Sequence, residues 1–116
     1  MQMKSISLGL ILLAGALMLT ACPSRTTISK INADPGRYHN KEVAVVGRVT
    51  NSYGILDRGV YEIDDGTGRM WVVTTRGVPS KGTRVGVKGY VYPSLNVGIK
   101  NFGVGMEETD RRTEGN

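Results

Sequence analysis

The 116-residue chain has one cysteine, Cys22, and one histidine, His39. A single cysteine excludes an intramolecular disulfide, and an unmodified thiol would be left reactive in an oxidising compartment. With Cys22 spoken for, His39 alone cannot assemble a His/Cys metal cluster. Ser52, Ser80 and Ser94 stand in turns with no histidine partner evident, so neither an activated nucleophile nor a tuned acid–base pair is in view. An enzyme is therefore not expected, and no cofactor is implied. Long apolar runs are also lacking. The longest, Ile6 to Met18, falls short of the roughly 20 residues a membrane-crossing helix needs, and no basic stop-transfer cluster follows it.

That run is instead the centre of a secretory signal, with Lys4 before it and small residues at its end. Leu19-Thr20-Ala21-Cys22 resembles the bacterial lipobox. The resemblance implies cleavage before Cys22, with diacylglycerol on its sulfur and a further acyl chain, palmitate or similar, on its freed amine. Each buried CH₂ contributes roughly 0.8 kcal/mol, so two or more chains would hold a small domain on a membrane essentially permanently. By resemblance to enteric lipoproteins, Pro23 in place of Asp after the acylated cysteine implies the outer membrane, facing the periplasm. In a cell with one membrane, the outer face of the cytoplasmic membrane is implied instead.

Removal of residues 1–21 leaves 95 residues, enough for one small domain. Lys4 is the only charged residue removed, so the formal charge falls from +5 to +4. A mildly basic chain suits an anionic partner such as lipopolysaccharide, phospholipid headgroups or nucleic acid, and equally a plain solvated surface. Residues 23–33, with Pro23, Ser24, Thr26, Thr27 and Asn32, read as a tether. The stretch from Glu107 to Asn116 is charged, has no apolar residue and reads as a disordered tail.

Between tether and tail, apolar residues alternate with others at the period of half-buried strands. Val43, Val45, Gly47 and Val49 form one row, ended by a break at Tyr53-Gly54. Tyr61 and Ile63 precede an Asp64-Asp65-Gly66-Thr67-Gly68 turn, whose Asp-Gly step supplies a tight hairpin's positive φ. Turn formation also accounts for Asp64 and Asp65 better than a cation site does, since no further carboxylates stand at calcium-loop spacing. Met70 to Val73 form a third strand. Val85, Val87, Gly89 and Val91 form one face of a fourth, with Arg84, Lys88, Tyr90 and Tyr92 on the other. Val97, Ile99, Phe102 and Val104 form the fifth. Asp34-Pro35-Gly36-Arg37-Tyr38 reads as a helical turn, with Asp34 as N-cap and Pro35 first. Five strands in so few residues predict an all-β, closed five-stranded barrel over 41–106, led in by residues 22–40.

The Val-x-Gly-x-Val first strand, the Asp-Gly-Thr-Gly hairpin and the matching fourth strand resemble small bacterial OB-fold proteins. These are distantly related to the anticodon-binding domains of tRNA synthetases. The departure is Arg76 to Gly82, too short and too rich in Pro and Gly for the helix many OB folds place there. Residues 28–38 are expected to plug the barrel in its stead. The resemblance places a ligand across strands two and three, near Tyr53, Arg58, Arg69, Trp71, Tyr92 and Asn96, with Lys88 and Tyr90 close by. Aromatic and basic residues so interleaved suit bases and phosphates, sugar rings or an extended peptide, and they equally suit partial packing on a soluble face. The expectation is a non-enzymatic, lipid-anchored binding module for an envelope component. Strand-edge docking on another envelope protein and oligonucleotide binding are the alternatives.

Overall fold

The computed structural model describes residues 25–55 and 57–114; the signal segment, Cys22 and Pro23 lie outside them. Alternate side chains of each strand point to one face, and the apolar ones converge. Val43, Val45 and Val49 of β1 (Glu42–Ile55) and Val85, Val87 and Val91 of β4 (Arg84–Tyr92) are all buried. They share a core with Tyr61 and Ile63 of β2 (Arg58–Asp64) and with Met70 and Val72 of β3 (Arg69–Thr74). After β4 come a small hairpin, β5 (Asn96–Val97) and β6 (Lys100–Asn101), and then β7 (Gly105–Thr113). The barrel closes in the order β1-β2-β3-β7-β4, the closed five-stranded barrel expected. β1 reaches both β4 and β2 because it bends at a bulge between Val49 and Asn51.

Three expectations about the strands need correction. Tyr53-Gly54 is no break, since β1 pairs with β2 through Ile55. The stretch from Val97 to Val104 is not the fifth barrel strand: it forms the β5–β6 hairpin and its return, and Ile99 is fully exposed at the tip. The last strand is drawn instead from the supposed disordered tail, residues 107–116, whose part up to Thr113 belongs to β7. β7 runs parallel to β3 and antiparallel to β4.

The tail hid its strand because its inward side chains are polar. Glu108 accepts from Tyr61 Oη at 2.6 Å, from Thr74 Oγ1 at 2.7 Å and from Arg111 Nη1 at 3.1 Å. Its side chain is 1% exposed. Burial, with the Glu108 carboxylate next to it, pushes the Tyr61 phenol well above its usual range. The last strand therefore lacks apolar periodicity while still filling one end of the barrel.

The other end is closed by what reads as a tether. Thr26 N donates to Ala44 O at 2.9 Å, so the chain is already fastened to β1 there. α1 (Ile28–Ala33) and α2 (Pro35–Tyr38) follow, and Ile28 and Ile31, one turn apart, are both fully buried in the barrel core. The expected plug is thus formed, and the segment that reads as a tether is helical from Ile28 to Ala33 rather than a free linker. Six residues are too few to form a helix alone, so packing must supply its stability. Its free amides are met by the hairpin: Ile28 N donates to Asp65 Oδ2 at 2.9 Å and Ser29 N to Thr67 Oγ1 at 3.1 Å. The remaining cap is Thr27, whose hydroxyl accepts from Lys30 N.

Candidate functional site

Beyond the bulge, Asn51, Tyr53 and Ile55 face outward on β1, beside Arg58, Val60 and Glu62 of β2 and Trp71 and Val73 of β3. Each pair across the strands is a direct neighbour. Glu62 stands opposite Trp71 and is held by Thr50 Oγ1 at 2.8 Å and Asn51 Nδ2 at 3.0 Å. The Tyr53 ring lies 5.8 Å from that of Trp71, which lies 5.1 Å from that of Phe102. These are favourable tilted separations. Lys100 Nζ sits 5.2 Å from the Phe102 centroid. The result is a continuous strip of three rings across β1 and β3, with Tyr53 53% exposed at one end.

The rest of this face is roofed. Leu95 and Val97 pack on Val60 and Val73 as a second apolar cluster outside the barrel, joined by Ile55, Trp71, Tyr92 and Phe102. Gly105 makes the roof possible, because a Cβ there would lie 2.5 Å from Leu95 Cδ2 and 2.9 Å from Trp71 O. Leu95 is tied down by paired backbone bonds, its N to Gly103 O at 2.7 Å and its O from Phe102 N at 2.8 Å. The β2–β3 surface that the OB resemblance names as the ligand face is therefore partly covered, and it is open along the aromatic strip and in a cleft beside the roof.

That cleft, of about 240 Å³, brings together Arg58, Tyr92 and Asn96 with Glu107. The Glu107 carboxylate raises the Tyr92 phenol, with burial and a hydrogen bond adding to the effect. Other members of the expected set are elsewhere. The Arg69 guanidinium is held by Asp64 at 3.3 Å, beside the hairpin turn. Lys88 and Tyr90 lie on the outer face of β4, opposite Ala44 and Glu42 of β1. Tyr53 and Trp71 thus meet, Arg58, Tyr92 and Asn96 meet, and Arg69, Lys88 and Tyr90 join neither group. Phe102 and Lys100 belong to the site and were missed, because Phe102 matched a core position of an assumed fifth strand. Phe102 is the only Phe in the chain and follows Lys100-Asn101 in a polar, Gly-containing segment, which was the available signal.

No titratable cluster able to hold a metal occurs among the described residues. No protein-family model and no curated protein matches the sequence. Solved structures do. OBody AM3L09, bound to hen egg-white lysozyme, superposes with a TM-score of 0.55 at 22% identity, over 71% of this chain and 90% of its own. A putative aspartyl-tRNA synthetase from Leishmania major gives 0.58 at 15%, over 77% of this chain and 20% of the synthetase. The S. pombe Stn1-Ten1 complex gives 0.52 at 18%, over 65% of this chain and 59% of the matched one. At such identities the likeness is one of fold, and it agrees with the strand order in showing that this chain forms a five-stranded OB-fold barrel.

Proposed function

We propose that the protein is a non-enzymatic binding module of the cell envelope, anchored by lipid on Cys22 and recognising an envelope component with the Tyr53–Trp71–Phe102 strip. The observation that carries the reading is that strip: three rings in contact on an outer face, one more than half exposed, where packing alone would have covered them. A ligand with a flat apolar face, such as a sugar ring or an aromatic side chain, is the chemical match. Polar groups fixed beside the rings, Asn51 and Glu62, would orient it. The OBody complexes with lysozyme support the use of such a barrel as a recognition scaffold.

Two alternatives are less well served. Strand-edge docking finds only short edges in the barrel, such as β7 beyond Glu107, because each barrel strand has two hydrogen-bonded neighbours along part of its length. Oligonucleotide binding wants a cationic groove along the rings, whereas Glu62 and Glu107 stand among Arg58 and Lys100. Membrane attachment is supported by the lipobox, and the outer-membrane, periplasm-facing location by Pro23.

The test is affinity capture from envelope extract with the full-length, detergent-solubilised protein, beside Trp71→Ala and Tyr53→Ala variants shown to melt as the wild type does. Glycan or protein retained by the wild type and lost by both variants supports the reading. Retention unaffected by either variant removes the strip as the site. Palmitate labelling that survives Cys22→Ala would overturn the anchor.

A further inference from the structure

The chain meets the barrel at Arg25, which bridges to Ala44 along the edge of β1 opposite β4. Cys22 precedes Arg25 by three residues, and three residues span at most about 11 Å. If Cys22 carries lipid, the β1–β4 face beside Ala44 is held against the headgroups, with no long tether to let the barrel tumble.

That face is built for such a neighbour. Its floor is low and apolar, made by Ala44, Val46 and Gly86, and three shallow depressions meet at Val46. Around it stand Arg25, Lys30, Arg48, Lys88 and Arg112, all exposed and none in an ion pair among the described residues, with Lys88 facing Asp110 across β4 and β7. Nearby carboxylates number fewer than the cations: Asp64, Asp110 and Glu114 are paired with Arg69, Arg76 and Arg84, Asp65 is held ionised by the α1 and hairpin amides, and Glu42 accepts from the Thr109 hydroxyl. Arg111, also at the rim, turns inward to Glu108. A residual positive face within about one Debye length, roughly 8 Å at physiological salt, feels an anionic surface strongly.

We propose that the β1–β4 face is a docking surface for anionic phospholipid headgroups, and that it sets the orientation of the barrel on its membrane. The proposal rests on the lipid-anchor reading. The strand order puts β3, which carries Trp71, across the barrel from the β1–β4 seam. Tyr53 lies seven strand residues beyond Val46, about 23 Å along β1 past its bulge, so docking in this sense turns the aromatic strip toward the aqueous compartment. The positive charge is then a membrane contact, separate from the ligand site.

Acylated Cys22 leaves no free thiol, so single cysteines can report orientation. Val46→Cys and Tyr53→Cys variants of the full-length lipidated protein carry a spin label in vesicles of phosphatidylcholine with or without phosphatidylglycerol, doped with a nickel-chelating lipid. On phosphatidylglycerol vesicles, nickel relaxes the label at 46 several-fold more than that at 53. Arg48→Glu/Lys88→Glu/Arg112→Glu, or omission of phosphatidylglycerol, removes the difference. Equal relaxation at both sites, or a difference indifferent to charge, overturns the docking face while leaving the anchor intact. Protein that fails to float with any vesicle overturns the anchor and the docking face together.

Discussion

The Tyr61 hydroxyl donates to Glu108 at 2.6 Å, joining two residues 47 apart in sequence inside one end of the barrel. Thr74 and Arg111 converge on the same carboxylate. Removing one partner of such a buried set strands the others without water, which costs about 3–5 kcal/mol. Glu108→Ala is expected to lower stability by about that amount in urea unfolding, and Glu108→Gln by less, since an amide oxygen still accepts. A chain ending at residue 106 is expected not to fold. Cooperative unfolding of that truncation would show that β7 is dispensable.

Asp65 joins plug and hairpin, and its protonation should be felt in stability. Partial burial opposes its charge, but the Thr67 hydroxyl and the amides of Ile28, Thr67 and Gly68 outweigh that and hold its carboxyl below the usual range. A depressed folded value means that the stabilisation is complete above the unfolded value, about 3.9, and is lost as pH falls through the folded one. Asp65→Ala is expected to cost about 1 kcal/mol or more at pH 7, as cap removals do. The gap from wild type should close below about pH 4. A gap that stays constant through that range would show that the charge of Asp65 is immaterial.

The β5–β6 hairpin is expected to act as a roof on Trp71. Leu95→Ala removes its main contact with Val60 and Val73, so the emission of Trp71, the only tryptophan, should move to longer wavelength with the barrel still folded. Phe102→Ala should shift it in the same direction. Unchanged emission in both would place the hairpin's grip elsewhere.

Gly89 lies where β4 shifts register against β7, and a Cβ there would collide with the backbone oxygen of Glu107. Gly89→Ala is expected to destabilise by about 1–3 kcal/mol, the usual range for overpacking. Gly86→Ala, where the nearest atom is Val46 Cγ2 at 3.8 Å, is expected to be tolerated. Thermal melts of the two variants make the comparison.

The alternating valines of β1 and β4 and the Asp-Gly-Thr-Gly turn were enough to read an all-β barrel of the OB kind, because inward apolar faces and turn chemistry are local properties. The aromatic ligand face was half legible for the same reason. Tyr53 and Trp71 stand on strands whose period shows, whereas Phe102 reaches them only through a hairpin folded back over the barrel. Arg69 looked equivalent to Trp71 in sequence and differs in space because Asp64, its cross-strand partner, holds it.

By itself, then, the sequence determined the strand periods, the main turn and the run of residues that reads as a lipidation signal, each carried by neighbours along the chain. Tertiary structure decided that a polar tail closes the barrel, since Glu108 is tolerable inside only when Tyr61, Thr74 and Arg111 surround it. It also decided that a supposed tether becomes a plug. A six-residue helix has no stability of its own and exists because the barrel end buries Ile28 and Ile31 while Asp65 and Thr67 meet its amides.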